Sequence, residues 1–225
     1  MIVVTGASRG LGRAICEQLT SKGFPVFGIS RNMDKAPFPH MSCDVSSYED
    51  VKAVSKRLRN DGIKIRGLIN AAGVASMNLA VTTPSGVTQN IIRTNLLGTI
   101  YCCQLIAPLM LRNKTGSIIN FSTIAVSLGL KGESIYIASK AGIEGFTRSF
   151  AREMADFNVR VNCIAPGPID TNLLKGITRD QVIKIISQQI ITKQFTPQSV
   201  SDLVEILLDD RTNSLSGQVL HVGGV

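Results

Sequence analysis

The first twelve residues, M-I-V-V-T-G-A-S-R-G-L-G, constrain the fold of this chain more than any other stretch. Residues 2–4 form a β-branched apolar run, which is typical of a strand buried on both faces. Glycines then recur at Gly6, Gly10 and Gly12, where a helical pattern begins. A strand, a glycine-rich turn and a helix N-terminus can hold a pyrophosphate, because free N–H groups at the helix start face the anion. A plain glycine-rich βα turn is the alternative, since three glycines alone are a weak signal.

Apolar runs typical of strands alternate with helical patterns through the rest of the 225-residue chain. These runs show little polar alternation, which indicates a parallel sheet covered by helices on both faces. Right-handed crossovers then give one doubly wound α/β (Rossmann) domain of about seven strands over residues 1–225. The predicted strands are residues 2–4, 25–29, 41–43, 67–70, 117–121, 159–164 and 218–222, and the predicted helices are residues 11–22, 47–60, 87–112, 134–156 and 198–208.

Composition excludes several classes of protein. With 44% hydrophobic and 18% charged residues, the chain is a folded domain rather than a disordered one. No apolar run approaches the roughly 20 residues that cross a bilayer, and the chain opens on a strand, so we expect no membrane partner, no targeting peptide and a cytoplasmic location. The net charge is +8, but the basic residues are scattered. We therefore expect no nucleic-acid partner. Binding of an anionic cofactor or an acidic partner explains the positive net charge equally well.

Five cysteines occur, Cys16, Cys43, Cys102, Cys103 and Cys163. Their number is odd, their surroundings are apolar and they form no C-x-x-C pair. Buried free thiols are the better interpretation than disulfides, and we expect no metal site.

The end of the second strand predicts the choice of cofactor. In a dinucleotide-binding domain this position faces the adenosine ribose, where an acidic residue suits NAD and a basic one suits the 2′-phosphate of NADP. Arg31 stands there, 19 positions after Gly12, and Arg9 lies inside the glycine turn. A guanidinium matches a phosphate bidentately, so the sequence predicts NADP(H). The alternative is that Arg31 is an exposed loop residue, and the nearby carboxylate of Asp34 counts against the prediction.

Tyr136 and Lys140 form a candidate acid/base pair in Y-I-A-S-K. They are four residues apart and so project from one face of a helix. A cation near a phenol lowers its pKa, and such a tyrosine can give a proton to a carbonyl oxygen as hydride arrives, or take one from an alcohol. The alternative is an exposed lysine beside a half-buried aromatic ring.

Taken together, these motifs resemble the short-chain dehydrogenase/reductase family over nearly the whole chain. The matching stretches are T-G-A-S-R-G-L-G (5–12), D-V (44–45), N-A-A-G (70–73), the asparagine of R-T-N-L-L-G-T (95), Y-I-A-S-K (136–140) and P-G-P-I-D-T (166–171). Within the family, S-K-A-G-I-E-G-F-T-R-S-F-A and S-G-Q-V-L-H-V-G-G look most like 3-oxoacyl-(acyl-carrier-protein) reductases and related carbonyl reductases.

The resemblance implies catalytic roles. Tyr136 would be the acid/base, and Lys140 would hold the nicotinamide ribose hydroxyls and lower the tyrosine pKa. Asn95 would hold a water in a proton relay that ends at Lys140. A lone amide in an apolar helix also needs buried partners, so a simple helix-bridging amide is the alternative for Asn95.

The resemblance also implies a set of cofactor contacts. Asp44 would bond the adenine amino group, with Val45 beside it. Asn70, Ala71 and Gly73 would line the adenosine ribose and stabilise the centre of the sheet. Ile169 and Thr171 would meet the nicotinamide carboxamide and phosphate. A routine strand terminator is the alternative for residues 166–168. The full set is Gly6, Ser8, Arg9, Gly10, Leu11, Gly12, Arg31, Asp44, Val45, Asn70, Ala71, Gly73, Tyr136, Lys140, Pro166, Gly167, Ile169 and Thr171.

The chain departs from the family at its serine, which usually sits thirteen residues before the tyrosine. Thr123 occupies that position and Ser122 precedes it. Threonine keeps a hydroxyl that can polarise a carbonyl, although its methyl narrows the pocket. Ser122 would point to the opposite face of a strand, but it remains the fallback near the strand end.

Two further departures concern the edges of the domain. Residues 32–43 hold two prolines where the family commonly has a helix, so we expect a trimmed crossover and a more open adenine edge. His221 replaces a common aspartate and is interpreted as a surface or interface residue.

Residues 172–196 hold many apolar residues and several cations, which suits a helical lid over an apolar substrate. A routine pair of surface helices is the alternative. In the resembled family, the helices over 87–112 and 134–156 form a dimer face, usually within a tetramer. Gly142 and Gly145 suit close helix packing, so we expect a homodimer or homotetramer.

The sequence therefore predicts an NADPH-dependent ketoreductase acting on a small-molecule carbonyl substrate. An acyl chain on an acidic carrier, such as a 3-oxoacyl thioester, would suit the apolar lid and the basic charge balance. One alternative is a non-catalytic NADP-binding regulator or scaffold, which is suggested by Thr123 in place of the usual serine. The other is an alcohol dehydrogenase working in the oxidative direction.

Overall fold

The computed structural model describes residues 1–33, 36–171 and 178–225. Its centre is one parallel sheet of seven strands in the order β3-β2-β1-β4-β5-β6-β7. The doubly wound α/β fold predicted from the sequence is confirmed, and each predicted strand exists within one or two residues of its expected ends. The strands are β1 (Ile2–Thr5), β2 (Val26–Ser30), β3 (His40–Ser42), β4 (Gly67–Asn70), β5 (Gly116–Phe121), β6 (Val159–Pro166) and β7 (Val219–Val222).

Helices cover both faces of the sheet and enclose two hydrophobic layers. One layer includes Val54, Ile106 and Met154, and the other includes Ile15 and Val204. All five cysteines are buried free thiols, as the sequence predicts. The helices are α1 (Gly10–Ser21), α2 (Tyr48–Asn60), α3 (Ser85–Ile91), α4 (Gly98–Ile106), α5 (Pro108–Leu111), α6 (Ala125–Leu128), α7 (Ser134–Ala155), α8 (Arg179–Ile186) and α9 (Pro197–Leu208), with 3₁₀ turns at Ala80–Thr82 and Asp210–Thr212.

The order of the strands positions the functional site. From β1 the chain winds outward through β2 to the edge strand β3, and then crosses back to place β4 on the other side of β1. The direction of winding reverses between β1 and β4, and ligands bind in such folds at the crevice outside the carboxyl ends of these strands. The loops that follow β1, β2 and β4 all open at that edge.

The long helix predicted over residues 87–112 is broken into segments. It begins at Ser85, widens into a π-helix over Ile92–Leu97, and is interrupted again before Pro108. Proline lacks the N–H of a helical hydrogen bond, which explains the second break. A π-helical turn inside an α-helix commonly marks a functional position, and this one contains Asn95.

The same region corrects the expectation that no stretch is long and apolar enough to cross a membrane. By length and composition alone, Ser85–Leu111 passes that test with a mean hydropathy of 1.4, and 44% of its most apolar window is buried inside the protein. A core helix of a water-soluble protein passes the same test, so the finding is weak evidence for a membrane span.

The trimmed crossover between β2 and β3 has no helix in its described residues, 32–33 and 36–39. In place of a helix, the side chain of Phe38 covers this part of the sheet. It is buried against β2, where a Cβ on Gly28 would lie only 2.7 Å from its ring, and the guanidinium of Arg13 sits 5.2 Å from the ring centroid. Asp34, which bears on the cofactor prediction, lies outside the described residues.

Candidate active site

A groove of about 600 Å³ opens at the carboxyl ends of β1, β2 and β4. Most residues of the predicted cofactor set line it, and the structure thus brings together stretches that are up to 165 positions apart in the sequence. Those residues are Gly6, Ser8, Arg9, Gly10, Leu11, Gly12, Arg31, Asp44, Val45, Ala71, Gly73, Tyr136, Lys140, Pro166 and Thr171.

The glycine turn at one end of the groove has room only for backbone. Gly6 and Gly10 have φ angles of +69° and +59°, in the left-handed region that favours glycine. A Cβ on Gly12 would lie 2.5 Å from the carbonyl oxygen of Gly6. The turn leads into α1, whose first turn carries no acidic residue, so nothing there opposes an anion at the helix N-terminus. This backbone cradle fits the pyrophosphate of a dinucleotide.

Another part of the groove is formed at the carboxyl ends of β2 and β3. Arg31 is exposed there, and its carbonyl oxygen accepts a hydrogen bond of 2.7 Å from Ser42 Oγ. Asp44 Oδ1 accepts from both the backbone N–H and the hydroxyl of Ser46, at 2.9 and 2.8 Å. These bonds fix the backbone of Arg31 and the carboxylate of Asp44 in this part of the groove. Asn32, Cys43 and Thr94 also line the groove, and no motif in the sequence marks them as site residues.

Lys140 projects from α7 into the buried wall of the groove. Its Nζ donates a hydrogen bond of 2.9 Å to the carbonyl oxygen of Phe121 and lies 5.8 Å from the Tyr136 ring centroid. Burial lowers the pKa of Lys140 to about 8. Because a lysine with that pKa exchanges its proton near neutral pH, it can both hold hydroxyl groups and pass a proton.

Tyr136 is buried where the groove meets a second cavity. The expectation that Lys140 lowers the pKa of this phenol is wrong in the structure as it stands. Burial raises the Tyr136 pKa, and the nearby carboxylate of Glu133 raises it further. The sequence could not show this, because neither the burial nor the approach of Glu133 follows from the Tyr–Lys spacing.

Asn95 is fully buried and lines neither cavity. Its Oδ1 accepts from the backbone N–H of Val74 at 2.8 Å, and its Nδ2 donates to Val74 O and Ser139 Oγ at 2.9 and 3.0 Å. It therefore ties the loop after β4 to α7, as a helix-bridging amide does. A Cβ on Gly73 would lie 3.3 Å from Asn95 Oδ1 and 3.7 Å from Lys140 Nζ, so these three residues adjoin one another.

Asn70, Gly167 and Ile169 fall outside the lining of the groove. Asn70 is buried within the sheet, and its Nδ2 donates to Asn120 Oδ1 at 2.8 Å, so it stabilises the sheet centre but does not face a ribose. Gly167 and Ile169 lie between Pro166 and Thr171, which line both spaces, but they themselves line only the second cavity.

The second cavity has a volume of about 390 Å³ and joins the groove at Tyr136. Leu11, Ser122, Pro166 and Thr171 also line both spaces. Its walls are mostly apolar, and most of their residues come from loops that carry no recognisable motif. These further lining residues are Ala75, Ser76, Met77, Ile124, Ala125, Leu130, Glu133, Pro168 and Ile185.

The two candidate hydroxyls after β5 have different surroundings. Ser122 Oγ is buried and donates a hydrogen bond of 2.7 Å to Glu144 Oε1, which occupies its proton. Thr123 lines the cavity, and its Oγ1 accepts from the backbone N–H of Ala125 at 3.3 Å. The Thr123 proton remains available to a carbonyl oxygen, so the geometry favours Thr123 over Ser122 as the hydroxyl that polarises a substrate.

The predicted lid falls partly on residues 172–177, which lie outside the described residues. Its described portion contains α8, which begins at a capping box formed by Thr178 and Gln181. Ile185 of α8 is buried in the wall of the second cavity. His221, by contrast, lines neither space, and its Nε2 lies 3.2 Å from Ser127 Oγ.

Known proteins are similar to this chain over nearly its whole length. A family described as enoyl-(acyl carrier protein) reductase matches residues 6–224. Carbonyl reductase family member 4 of Xenopus laevis is 34% identical, with 98% of this chain and 95% of the relative covered. The 3-oxoacyl-[acyl-carrier-protein] reductase FabG of Staphylococcus epidermidis is 33% identical, with coverage of 99% and 96%.

Solved structures agree with the sequence comparison. Aldohexose dehydrogenase of Thermoplasma acidophilum, in ligand-free form, superposes with a TM-score of 0.90 at 31% identity, covering 99% of this chain and 92% of that one. The superposition thus covers nearly the whole chain. The chain therefore belongs to the short-chain dehydrogenase/reductase family of oxidoreductases, and within it is most like FabG and carbonyl reductase family member 4.

Proposed function

We propose that this protein is an NADPH-dependent ketoreductase that converts a ketone to a secondary alcohol. The observation that carries the proposal is the position of Tyr136, whose ring lines both the dinucleotide groove and the second cavity. The bound nicotinamide would supply hydride to the carbonyl carbon. Tyr136 would give its proton to the carbonyl oxygen, Thr123 would donate a hydrogen bond to that oxygen, and Lys140 would support the proton transfer.

The preference for NADPH over NADH rests on two arginines. Arg9 and Arg31 both line the groove and both are exposed, and neither forms an ion pair within the described residues. Each guanidinium is thus free to meet a phosphate on the adenosine ribose. Arg9 also lies at the N-cap of α1, where the helix dipole adds to the positive potential.

The second cavity supports an acyl substrate. Its apolar wall, which includes Met77, Leu130 and Ile185, suits a hydrocarbon chain rather than a polyol. FabG is by its name a 3-oxoacyl-[acyl-carrier-protein] reductase, whereas the relative of known structure is by its name an aldohexose dehydrogenase. The wall favours the first of these two substrate classes, so we propose a 3-oxoacyl thioester, with α8 and its neighbours as a lid.

The proposal includes an assembled, cytoplasmic enzyme. A Cβ on Gly142 would lie 3.0 Å from Leu96 of the same chain, whereas a Cβ on Gly145 would meet nothing within 4 Å. Gly145 is therefore an open position on α7, which suits the close approach of a second copy in a homodimer or homotetramer. Light scattering coupled to size exclusion measures that state directly.

A coupled set of assays tests the proposed reaction. NADPH oxidation is followed with 3-oxoacyl N-acetylcysteamine thioesters, diketones and quinones, and the reverse reaction with NADP⁺ and the matching alcohols. We expect the thioesters to be reduced fastest and NADPH to be used in preference to NADH. Tight NADPH binding without turnover of any substrate would instead favour a regulator or scaffold, and turnover only in the alcohol-to-ketone direction would favour a dehydrogenase.

A further inference from the structure

The second cavity contains a carboxylate that the proposed reaction does not use. Glu133 lines the cavity and is only 8% exposed. Its carboxylate forms no hydrogen bond or ion pair with any residue that the structure describes, although its backbone is bonded to Leu130 and Ile137. The carboxylate thus lies in the cavity wall without a protein donor in the described part of the chain, and partial burial raises the pKa of Glu133.

A structural role in α7 leaves the carboxylate unexplained. Glu133 occupies the N-cap position of α7, but its side chain makes no capping hydrogen bond. Glutamate is a poor N-cap, because serine, threonine, asparagine and aspartate reach the free N–H groups better. The favourable effect of a negative charge at a helix N-terminus is also available to an exposed side chain, so it does not require burial in the cavity.

The surroundings of Glu133 define what it could bind. It is the one charged side chain among the described residues that line the cavity, and Tyr136 stands one helical turn further along α7. The rim beside it is fixed by a hydrogen bond of 2.8 Å from the backbone N–H of Asn78 to the carbonyl oxygen of Gly132. A carboxylate held at this place can accept hydrogen bonds from a molecule in the cavity.

We propose that Glu133 is a specificity-determining residue, whose carboxylate accepts a hydrogen bond from a neutral donor on the substrate close to the reacting carbonyl. The inference rests on the proposed function, since it takes the second cavity as the carbonyl site. An amide N–H or a hydroxyl satisfies the carboxylate at little desolvation cost, whereas an ammonium ion would have to leave water for a mostly apolar wall. Free keto acids are disfavoured, because their carboxylate would face that of Glu133.

Binding of matched ketones tests this inference without turnover. The dead-end complexes with NADP⁺ are titrated by ligand-observed NMR with 4-hydroxy-2-butanone and with 2-pentanone, in which a methyl group replaces the hydroxyl. We expect the protein to bind the hydroxyketone about tenfold more tightly. The preference should vanish in Glu133→Leu. It should persist in part in Glu133→Gln, whose amide oxygen still accepts a hydrogen bond. Glu153→Gln, on the exposed face of α7, is the control and should keep the full preference.

A second pair of ligands covers the case in which Glu133→Leu does not fold. Ethyl acetoacetate should bind better than the acetoacetate anion to the unmodified protein, and Glu133→Gln should reduce that difference severalfold. Equal binding within each pair by the unmodified protein, or the same preferences in the Glu133 variants, would overturn the inference. Loss of NADPH oxidation with every ketone would overturn the proposed function instead, and the two failures are therefore distinct.

Discussion

The cofactor groove and the second cavity share Tyr136 but are built in different ways. The groove is built around backbone turns, such as Gly6–Gly12 and residues 71–73, that follow central strands. The cavity is formed by side chains such as Met77, Leu130 and Ile185, which come from loops and a short helix. The groove is thus a property of the fold, whereas the cavity belongs to this particular chain.

This difference suggests that the groove provides general cofactor binding and the cavity provides substrate selection. A backbone cradle binds any dinucleotide of the right shape, because the N–H groups at the start of α1 do not depend on side chains. Under the proposed function, the cavity would select among carbonyl compounds through a few side chains, of which Glu133 is the charged one within its described lining. Substitutions at Tyr136, where the two regions join, should therefore stop the reaction. Substitutions in the groove alone should change cofactor binding, and those in the cavity alone should change substrate binding.

The largest expected effect is at the junction of the two regions. Tyr136→Phe removes the phenol proton, and we expect kcat to fall about a thousandfold, in the range for loss of a general acid. The NADPH dissociation constant should change by less than about threefold, because the groove backbone is unaltered. Stopped-flow reduction and NADPH fluorescence measure the two quantities, with Tyr48→Phe on α2 as the control. Retention of kcat in Tyr136→Phe would remove the phenol from the mechanism.

A smaller effect is expected from the cavity side alone. Thr123→Ala should lower kcat about a hundredfold, the typical effect of losing one donor to a developing oxyanion. Ser122→Ala should change kcat much less, because the Ser122 hydroxyl is bonded to Glu144. Steady-state kinetics of both variants at saturating NADPH make the comparison. A larger loss in Ser122→Ala than in Thr123→Ala would reverse the assignment.

The sequence predicts the groove well for a physical reason. Glycines at Gly6, Gly10 and Gly12 act through local backbone geometry, so their spacing alone indicates the turn. The direction of the Asn70 side chain depends on pairing with Asn120 in the next strand, which local spacing does not encode. The same limit applies more strongly to the second cavity.

Residues of the cavity wall carry no signal that could separate them from ordinary loop residues. Met77 and Leu130 line one cavity because the loops after β4 and before α7 fold together, with Asn78 bonded to Gly132. Glu133 could have been noticed from its place three residues before Tyr136. Its burial, on which the further inference rests, depends on tertiary packing that the periodicity of the sequence does not predict.

Lys140 allows the buried wall of the groove to be tested through stability. Its pKa is lowered from 10.5 to about 8 in the folded protein, so between these values the unfolded chain binds the proton and the folded protein does not. Stability contributed by this residue therefore rises with pH across that window. Relative to Lys140→Met, the unmodified protein should gain about 2 kcal/mol of unfolding free energy between pH 7.5 and 9.5.

Urea unfolding at a series of pH values measures this difference, and Lys52→Met on the exposed face of α2 is the matched control. Parallel stability curves for the unmodified protein and Lys140→Met would show that the ammonium is not destabilised by burial. Since the nucleotide itself would add charge beside Lys140, the comparison is made without it.

The smallest expected effect is at the exposed end of the groove, where side chains rather than backbone discriminate between cofactors. Arg31→Ala should weaken NADPH binding about tenfold, because an exposed guanidinium–phosphate bond competes with water. NADH binding should be unchanged, since it has no 2′-phosphate. Titration with both nucleotides measures the ratio, and Arg59→Ala on the far side of α2 controls for net charge. Equal weakening of NADPH and NADH binding would mean that Arg31 supports the groove and does not recognise the 2′-phosphate. Selective side chains would then be confined to the second cavity, and the groove would act only as a general cradle.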